Sequence, residues 1–322
     1  MSGRPRVVVT RRLPSAVEAA LAERFDVQLN SDDAPLTTEA LRRAIATADA
    51  LLPTVTDRLS AEVFDGASGR CRVVANFGVG VNHIDLDAAV RAGCVVTNTP
   101  DVLTDDTADL AILLMLAVLR GAGAGERRVR AGRWDGWGPT SDLGRRLTGK
   151  TLGVIGFGRI GQAVARRARH GFGMRVLAWS RRRPSAEALD GVSWVESLDA
   201  LLPQVDVLSL HTPGGAETRH LIDAHRLARL PAHAVLVNSA RGDVVDEAAL
   251  VDALAGGRLA GAGLDVYERE PVVHPGLLGR EDVVLLPHLG SATLESRTAM
   301  GMRALENLVA VFEGRAPRDR VA

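Results

Sequence analysis

The stretch Thr151–Arg169 reads TLGVIGFGRIGQAVARRAR and decides the fold of this chain. Within it, Leu152–Ile155 has the length and apolar character of a buried strand, and Gln162–Arg169 is a helical run. Between them lies the turn Gly156-Phe157-Gly158-Arg159-Ile160-Gly161, which matches the spacing G-x-G-x-x-G. A strand that passes through such a turn into a helix predicts a parallel α/β unit.

Each glycine of this turn has its own physical role. Gly156 allows the tight turn, Gly158 lets the backbone approach a pyrophosphate, and Gly161 permits close packing of the helix on the strand. The N-terminus of the helix then meets the negative charge. We therefore predict a dinucleotide-binding turn, although glycine-rich turns between strands and helices also occur without a ligand.

Short apolar strands alternate with helical segments along the rest of the chain, which is typical of parallel α/β sheets. The first series predicts strands at Val7–Thr10, Val27–Leu29, Ala50–Leu52, Arg72–Ala75 and Val95–Thr97, with helices at Ser15–Arg24 and Thr38–Thr47. The second series predicts strands at Leu152–Ile155, Arg175–Trp179, Val207–Leu210, Val235–Asn238, Gly261–Asp265 and Val283–Leu286. A doubly wound dinucleotide-binding sheet needs a series of this kind.

Two helical patterns suggest how these series are organised. Thr107–Arg120 links them, and Ser296–Glu313, too short to be a domain, is expected to pack back on the first series. We predict a dinucleotide-binding domain over 101–288 and a discontinuous second domain over 1–100 plus 289–322. Residues 121–148, rich in Gly, Arg and Trp, form the least regular stretch and are a candidate arm.

Composition bounds the partners. The 322 residues suffice for two domains, and 46% hydrophobic with 24% charged residues is typical of globular chains. Lys+Arg and Asp+Glu are 39 each, so long-range attraction to nucleic acid is not expected. The apolar run Leu110–Leu119 is too short to span a membrane and predicts a buried helix. Cys71 and Cys94 lie in apolar runs outside any C-x-x-C pair, so we expect buried free thiols, no metal site and a cytoplasmic protein.

The strand after the turn ends at Ser180, where a dinucleotide site ordinarily has an acidic residue for the adenosine ribose. Ser180 would not repel a 2′-phosphate, and Arg181 and Arg182 can form charge-assisted hydrogen bonds to one. We therefore expect a preference for NADP(H), with NAD(H) possible. The alternative is that the arginines form a solvated surface run and that the site binds NADH adequately.

Three separated residues suggest the chemistry. Arg241, Glu270 and His288 each follow a predicted strand, and the carboxyl ends of such strands share one edge of a sheet. An arginine can bridge the carboxylate and carbonyl oxygens of a 2-keto acid, and a histidine can donate a proton to the developing alkoxide. A carboxylate bonded to that histidine would favour the imidazolium. Taken singly, each has a structural alternative, but their convergence indicates keto-acid reduction.

The chain resembles the D-isomer-specific 2-hydroxyacid dehydrogenases over nearly its whole length. The resemblance implies an α/β fold of two doubly wound parallel-sheet domains, Rossmann-like and flavodoxin-like, with the active site in the cleft between them. The matching motifs are Asn76-Phe77-Gly78-Val79-Gly80-Val81-Asn82-His83-Ile84-Asp85, Thr97-Asn98-Thr99-Pro100, Gly156 to Gly161, Asn238-Ser239-Ala240-Arg241-Gly242, Gly263-Leu264-Asp265-Val266-Tyr267-Glu268 and Pro287-His288-Leu289-Gly290-Ser291-Ala292-Thr293.

The resemblance also implies roles. Arg241, Glu270 and His288 match the family's substrate arginine and Glu–His proton relay, and Val79 and Gly80 match a loop whose N–H groups hold the substrate carboxylate. Asp265 matches the residue that binds the nicotinamide carboxamide. The other implied cofactor contacts are Thr107, Gly156, Gly158, Arg159, Ile160, Gly161, Ser180, Arg181, Arg182, His211, Thr212, Pro213, Ala240, His288 and Gly290.

Within the family, the chain is most similar to the glyoxylate/hydroxypyruvate reductases. The arginine run after Ser180 and the pattern Gly132-Arg133-Trp134-Asp135-Gly136-Trp137-Gly138-Pro139 carry this likeness. In that subfamily the arm crosses to a partner subunit, which implies a homodimer; alternatively, the tryptophans only anchor a loop. Arg297 matches an arginine near the subfamily's active site, or is a plain helix-surface residue. Asn82-His83 and Gly214-Gly215 depart from the usual pattern and bear on substrate size.

Two alternative functions are compatible with these residues. A D-lactate dehydrogenase or another 2-keto acid reductase of the same family would use the same chemistry. A dinucleotide-sensing protein-binding module, as in the C-terminal-binding-protein corepressors, would use the same fold without turnover.

Overall fold

A computed structural model describes residues 3–67 and 69–322. The chain divides into two compact units, Met1–Leu103 with Ala292–Ala322, and Thr104–Ser291. We refer to them as the first and the second unit.

The first unit is a five-stranded parallel sheet in the order β2-β1-β3-β4-β5, the flavodoxin-like order. Apolar side chains fill β3 and β4 on both faces, as expected of a parallel sheet covered by helices. Its elements are β1 (Arg6–Val9), α1 (Ser15–Arg24), β2 (Asp26–Gln28), α2 (Thr38–Thr47), β3 (Ala50–Leu52), α3 (Ala61–Phe64), β4 (Val73–Ala75), α4 (Leu86–Arg91), β5 (Val95–Thr97) and α13 (Leu294–Phe312).

The second unit is a seven-stranded parallel sheet in the order β12-β11-β10-β9-β6-β7-β8. Its helices are α5 (Thr104–Leu119), α6 (Ala122–Arg130), α7 (Arg159–Phe172), α8 (Ala186–Leu189), α9 (Leu198–Leu201), α10 (Ala224–Leu227), α11 (Glu247–Ala255) and α12 (Pro275–Leu278). Its strands are β6 (Thr151–Ile155), β7 (Arg175–Trp179), β8 (Ser193–Trp194), β9 (Val207–Leu210), β10 (Val235–Asn238), β11 (Gly261–Leu264) and β12 (Val283–Leu285), with 3₁₀ turns at Leu202–Gln204 and Gly242–Val244.

The prediction of two doubly wound parallel α/β sheets is confirmed, with two local differences. The second sheet gains β8, which pairs with β7 over only two residues and is too short to give a periodic pattern. The stretch 121–148, predicted to be irregular, begins with α6. That helix has no buried residue and therefore no apolar stripe, while Arg127, Arg128 and Arg130 in its last turn favour its C-terminal dipole.

The helix α5 is the predicted buried helix. Leu114 and Met115 are fully buried, and α5 packs on β10, β11 and α7 within the second unit. Among the described residues, no single helix is long and apolar enough to cross a membrane. Together, α5 and α6 have the length and composition of a membrane span, but the two helices are bent by 68° relative to each other.

The prediction of free thiols is confirmed: Cys71 and Cys94 are free and buried in the core of the first unit.

Strand order fixes where ligands can bind. In the second unit the chain winds one way from β6 to β8 and the other way from β9 to β12, so its topological switch point lies between β6 and β9. In the first unit the corresponding reversal lies between β1 and β3. Ligands of open α/β sheets bind beyond the carboxyl ends of the strands at such points.

Candidate active site

The glycine turn lies at the switch point of the second unit, between β6 and α7. Gly156 has φ +90°, and a Cβ on it would lie 2.6 Å from the carbonyl oxygen of His211, at the end of β9. A Cβ on Gly161 would overlap the carbonyl oxygen of Gly156. A Cβ on Gly158 would meet no atom of the described chain within 4 Å. Two glycines are thus required by the chain itself, and the third leaves open backbone for a ligand.

The turn after β9 carries the residues predicted to pass the adenine side. His211 Nε2 lies 2.9 Å from Ser209 Oγ, and burial lowers the pKa of His211 to about 4. His211 Nδ1 and the Thr212 hydroxyl are buried and have no hydrogen-bond partner among the described residues. The Pro213 carbonyl accepts a hydrogen bond from Thr218 Oγ1 at 2.7 Å. The turn therefore presents a neutral ring and unsatisfied polar atoms.

The unusual Gly214-Gly215 pair has a steric explanation. A Cβ on Gly214 would lie 2.6 Å from Asp243 Oδ1 and 3.0 Å from Arg241 Cγ. Gly215 has φ +122°, and its N–H donates to Asp243 Oδ2 at 3.0 Å. Glycine is needed here because the turn passes directly over the segment that carries Arg241.

The arginine run after β7 is only partly available for a ligand. Arg181 is ion-paired with Glu217, and Arg183 Nη1 lies 3.1 Å from Glu196 Oε1. Ser180 Oγ donates to the carbonyl of Arg182 at 2.8 Å. The Arg182 guanidinium is exposed and makes no ion pair within the described chain. Of the two arginines predicted to contact the cofactor, Arg182 is therefore the one already free to do so.

Glu270 and His288, 18 residues apart in sequence, form the predicted pair. His288 Nδ1 lies 2.8 Å from Glu270 Oε2, and Glu270 Oε1 accepts the N–H of Tyr267 at 3.0 Å. Both side chains keep about a third of their surface accessible. Because Nδ1 is engaged by the carboxylate, Nε2 is the ring atom left for a substrate.

His288 is held in a strained backbone conformation by its neighbours. It has φ +57°, which is unfavourable for a residue other than glycine, and its N–H donates to the Asp265 carbonyl at 2.9 Å. Both Asp265 carboxylate oxygens accept backbone N–H groups, from Leu289 at 2.6 Å and Gly290 at 2.9 Å. Thr107 Oγ1 donates to the Gly290 carbonyl at 2.9 Å. Asp265 and Thr107, predicted as cofactor contacts, thus also shape the histidine loop, a role that no sequence signal revealed.

Charge links Arg241 to this pair. Burial lowers the pKa of the Arg241 guanidinium, and the negative charges of Glu270 and Asp243 oppose that shift. Arg241 Nη1 donates to the Ala240 carbonyl at 2.6 Å, and Asn238 Nδ2 donates to the Arg241 carbonyl at 2.8 Å. The structure therefore groups all three predicted catalytic residues at the carboxyl edge of one sheet.

The two carboxylates of the site have opposite shifts. Burial raises the pKa of Glu270, but the hydrogen bond and charge of His288, the Tyr267 N–H and the charge of Arg241 together bring it below its ordinary value. For Asp265, burial raises the pKa and prevails over the hydrogen bonds from Leu289 and Gly290. Glu270 is consequently held as a carboxylate that can stabilise an imidazolium.

The predicted carboxylate loop, with Val79 and Gly80, belongs to the first unit, directly after β4. Asn76 is fully buried at its start, while Val79 and Gly80 are half-buried. Arg297 on α13 lies over the ring of Phe77 in the same loop, with 6.0 Å from its Cζ to the ring centroid. No group of three or more His, Cys, Asp or Glu residues among the described positions could hold a metal ion.

Comparisons with known proteins agree with this geometry. The profile of the D-isomer specific 2-hydroxyacid dehydrogenase, NAD binding domain, matches residues 112–290. The chain is 44% identical to a glyoxylate reductase of Thermococcus onnurineus over 98% of its own length and 95% of that protein. It is 45% identical to the glyoxylate reductase of Thermococcus kodakarensis, with the same coverage.

A solved structure is also similar to this chain in three dimensions. The NADPH-dependent glyoxylate/hydroxypyruvate reductase of Sinorhizobium meliloti, in complex with NADP and malonate, superposes with a TM-score of 0.89 at 37% identity. The alignment covers 99% of this chain and 97% of that one. With a matching profile over more than half of the chain and full-length relatives, the chain belongs to the D-isomer-specific 2-hydroxyacid dehydrogenase family.

Proposed function

We propose that this protein reduces glyoxylate and hydroxypyruvate to the corresponding 2-hydroxy acids, with NADPH as the preferred cofactor. The observation that carries the proposal is the Glu270–His288 pair beside Arg241, in the unit that also contains the glycine turn. The full-length relatives named glyoxylate reductase support this choice of substrate.

The residues of the second unit fit a bound dinucleotide. Gly158 offers open backbone to a pyrophosphate at the N-terminus of α7, and unsatisfied polar atoms lie at His211 and Thr212. Gly156, Arg159, Ile160 and Gly161 complete the turn. When bound, the reduced nicotinamide supplies a hydride to the carbonyl carbon.

The chain's own residues handle the carboxylate and the proton. In the second unit, Arg241 is proposed to bind the substrate carboxylate and polarise the keto oxygen. In the first unit, the N–H groups of Val79 and Gly80 are proposed to donate to a carboxylate. His288 holds the proton at Nε2 and donates it to the oxygen as negative charge develops there. Glu270, already a carboxylate, stabilises the imidazolium through Nδ1 until that proton is transferred.

The preference for NADPH rests on Arg182 and Arg181. Arg182 is free to bond a 2′-phosphate, and Ser180 adds no repulsive charge. Arg181 would first exchange its ion pair with Glu217 for the phosphate. The NADPH-dependent reductase of Sinorhizobium meliloti supports this assignment.

We also propose a homodimer formed through the segment that follows α5. Trp137 is 84% exposed, Leu143 76% and Trp134 55%, a concentration of apolar side chains that water disfavours. Leu143 also lines a groove of about 740 Å³, together with residues of α6 and the start of β10. A second copy of the chain would cover this surface, and light scattering on the wild type and Trp137→Ala should show a dimer that the variant weakens.

The proposed function is tested by following NADPH and NADH oxidation with glyoxylate, hydroxypyruvate and pyruvate in turn. We expect the highest kcat/KM with the first two acids and NADPH. His288→Ala should lower kcat by about 100-fold or more while leaving NADPH binding within about twofold. A preference for pyruvate would indicate another keto-acid reductase, and cofactor binding without any turnover would favour a dinucleotide-sensing role.

A further inference from the structure

In the loop of the first unit that follows Asn76, two side-chain amides hold the backbone carbonyls, and the Gly78 carbonyl also accepts the N–H of Thr99 at 3.0 Å. Asn76 Nδ2 donates to the carbonyls of Gly78 at 3.0 Å and Gly80 at 3.1 Å. Asn98 Nδ2 donates to the intervening carbonyl of Val79 at 2.8 Å. Three consecutive carbonyl groups are therefore each held by an amide donor.

This arrangement determines where the N–H groups point. In a trans peptide, the carbonyl of one residue and the N–H of the next lie in one plane and point in opposite directions. Fixing the carbonyls of Gly78 and Val79 on the two amides therefore turns the N–H groups of Val79 and Gly80 the other way. Within the described chain, neither N–H makes a hydrogen bond. Two adjacent backbone donors without an acceptor in the described chain form a candidate site for an anion.

His83 fixes the orientation of the Asn76 amide. Asn76 is fully buried, and both of its amide protons are used by Gly78 and Gly80. Its Oδ1 lies 3.0 Å from His83 Nε2, so the ring nitrogen must donate. A reversed amide would place its oxygen against two carbonyl oxygens and its NH₂ against the ring N–H. The His83 donor therefore stabilises, together with the carbonyls of Gly78 and Gly80, the amide orientation that holds the loop.

We propose that Asn76 and His83 are positioning residues that pre-organise the N–H groups of Val79 and Gly80 for the carboxylate of the keto acid. The inference rests on the proposed function only for the identity of that carboxylate. It assigns a role to His83 in the unusual Asn82-His83 pair: the imidazole acts through the Asn76 amide. Its contribution is accordingly to substrate affinity, and not to hydride or proton transfer.

The test replaces the donor and then restores it. His83→Phe removes the N–H while keeping a planar ring, and His83→Gln returns a donor through its side-chain amide. His225→Phe, at an exposed position on α10 in the other unit, is the matched control. For each variant loaded with NADPH we would measure the Kd for oxalate, a non-reducible carboxylate probe, together with NADPH Kd, and KM and kcat for glyoxylate.

We expect His83→Phe to raise the oxalate Kd and the glyoxylate KM by about tenfold, with kcat and NADPH Kd within about twofold. His83→Gln should recover most of the loss, and His225→Phe should match the wild type. An unchanged oxalate Kd in His83→Phe would overturn the proposal. So would a parallel change in kcat or NADPH Kd, or an equal loss in the glutamine variant, because each indicates a general structural effect.

A second variant covers the case in which His83→Phe does not fold. Asn98→Ala removes the side-chain donor to the Val79 carbonyl and should raise the oxalate Kd in the same way. An unchanged Kd would show that amide donors to these carbonyls do not orient the N–H groups, and the role given to Asn76 and His83 would fall with that premise. Oxalate binding also separates the two proposals. If the wild type binds oxalate but oxidises no NADPH with glyoxylate or hydroxypyruvate, the proposed function fails while the role of His83 is still decided.

Discussion

The two loops for which we propose anion binding are built by different physics. The turn Gly156–Gly161 uses close backbone packing and the N-terminus of α7. The loop after Asn76 does not run directly into a helix, and amide side chains hold its carbonyls. The first arrangement is specified by glycines at fixed spacing within one short stretch of sequence. The second depends on His83, seven residues after Asn76, and on Asn98, 19 residues after Val79.

The largest expected effect distinguishes the glycines of the first loop. Gly161→Val should destabilise the fold by about 3 kcal/mol or more, because its side chain would overlap the Gly156 carbonyl. Gly158→Ala should fold with unchanged Tm, since its Cβ meets nothing in the chain, yet raise the NADPH Kd by about 100-fold by blocking the pyrophosphate. Thermal unfolding and cofactor titration separate the two. Normal cofactor binding by Gly158→Ala would show that the pyrophosphate does not approach this backbone.

This difference also explains what sequence could predict. The strand Ala50–Leu52 and the helix Ser15–Arg24 were predicted with the bounds that the structure gives, because apolar periodicity is a local property. The glycine turn was also predicted, because its spacing is a local pattern. The short β8 and the unburied α6 were not, because neither carries an apolar pattern of its own.

Site residues follow the same rule. The charged triad was predicted because strand ends share an edge in a parallel sheet. The pairing of Arg181 with Glu217 was not, since 36 residues separate the partners and no motif records the contact. The anchoring of the His288 loop by the Asp265 carboxylate was missed for the same reason, as those hydrogen bonds span 24 and 25 residues.

A substitution that affects only proton transfer should leave ligand binding at both loops unchanged. Glu270→Gln is expected to lower kcat by about 100-fold while the Kd values of NADPH and oxalate stay within about twofold. If either Kd rose together with the loss of kcat, Glu270 would have to support a binding loop as well.

The same variant has a stability signature with a definite sign. The pKa of Glu270 is lowered in the folded protein, so its carboxylate stabilises the fold above its unfolded-state pKa. That contribution is lost as the pH falls through the folded-state pKa. The Tm difference between wild type and Glu270→Gln should therefore be present at neutral pH, shrink once the pH falls below the ordinary glutamate pKa, and vanish below the lowered folded-state pKa. A difference that grew on acidification would contradict the shift.

The smallest expected effect concerns Arg181, which follows β7. Arg181 is paired with Glu217 on an exposed surface, where such a pair contributes little to stability. Glu217→Ala should therefore leave the Tm unchanged, free Arg181 for a 2′-phosphate and lower the NADPH Kd by about two- to threefold, with NADH unaffected. Glu196→Ala, which frees Arg183 instead, is the matched control and should change neither Kd. If Glu217→Ala tightened NADH as much as NADPH, the gain would come from the pyrophosphate side of the site, and Arg182 alone would remain to read the 2′-phosphate.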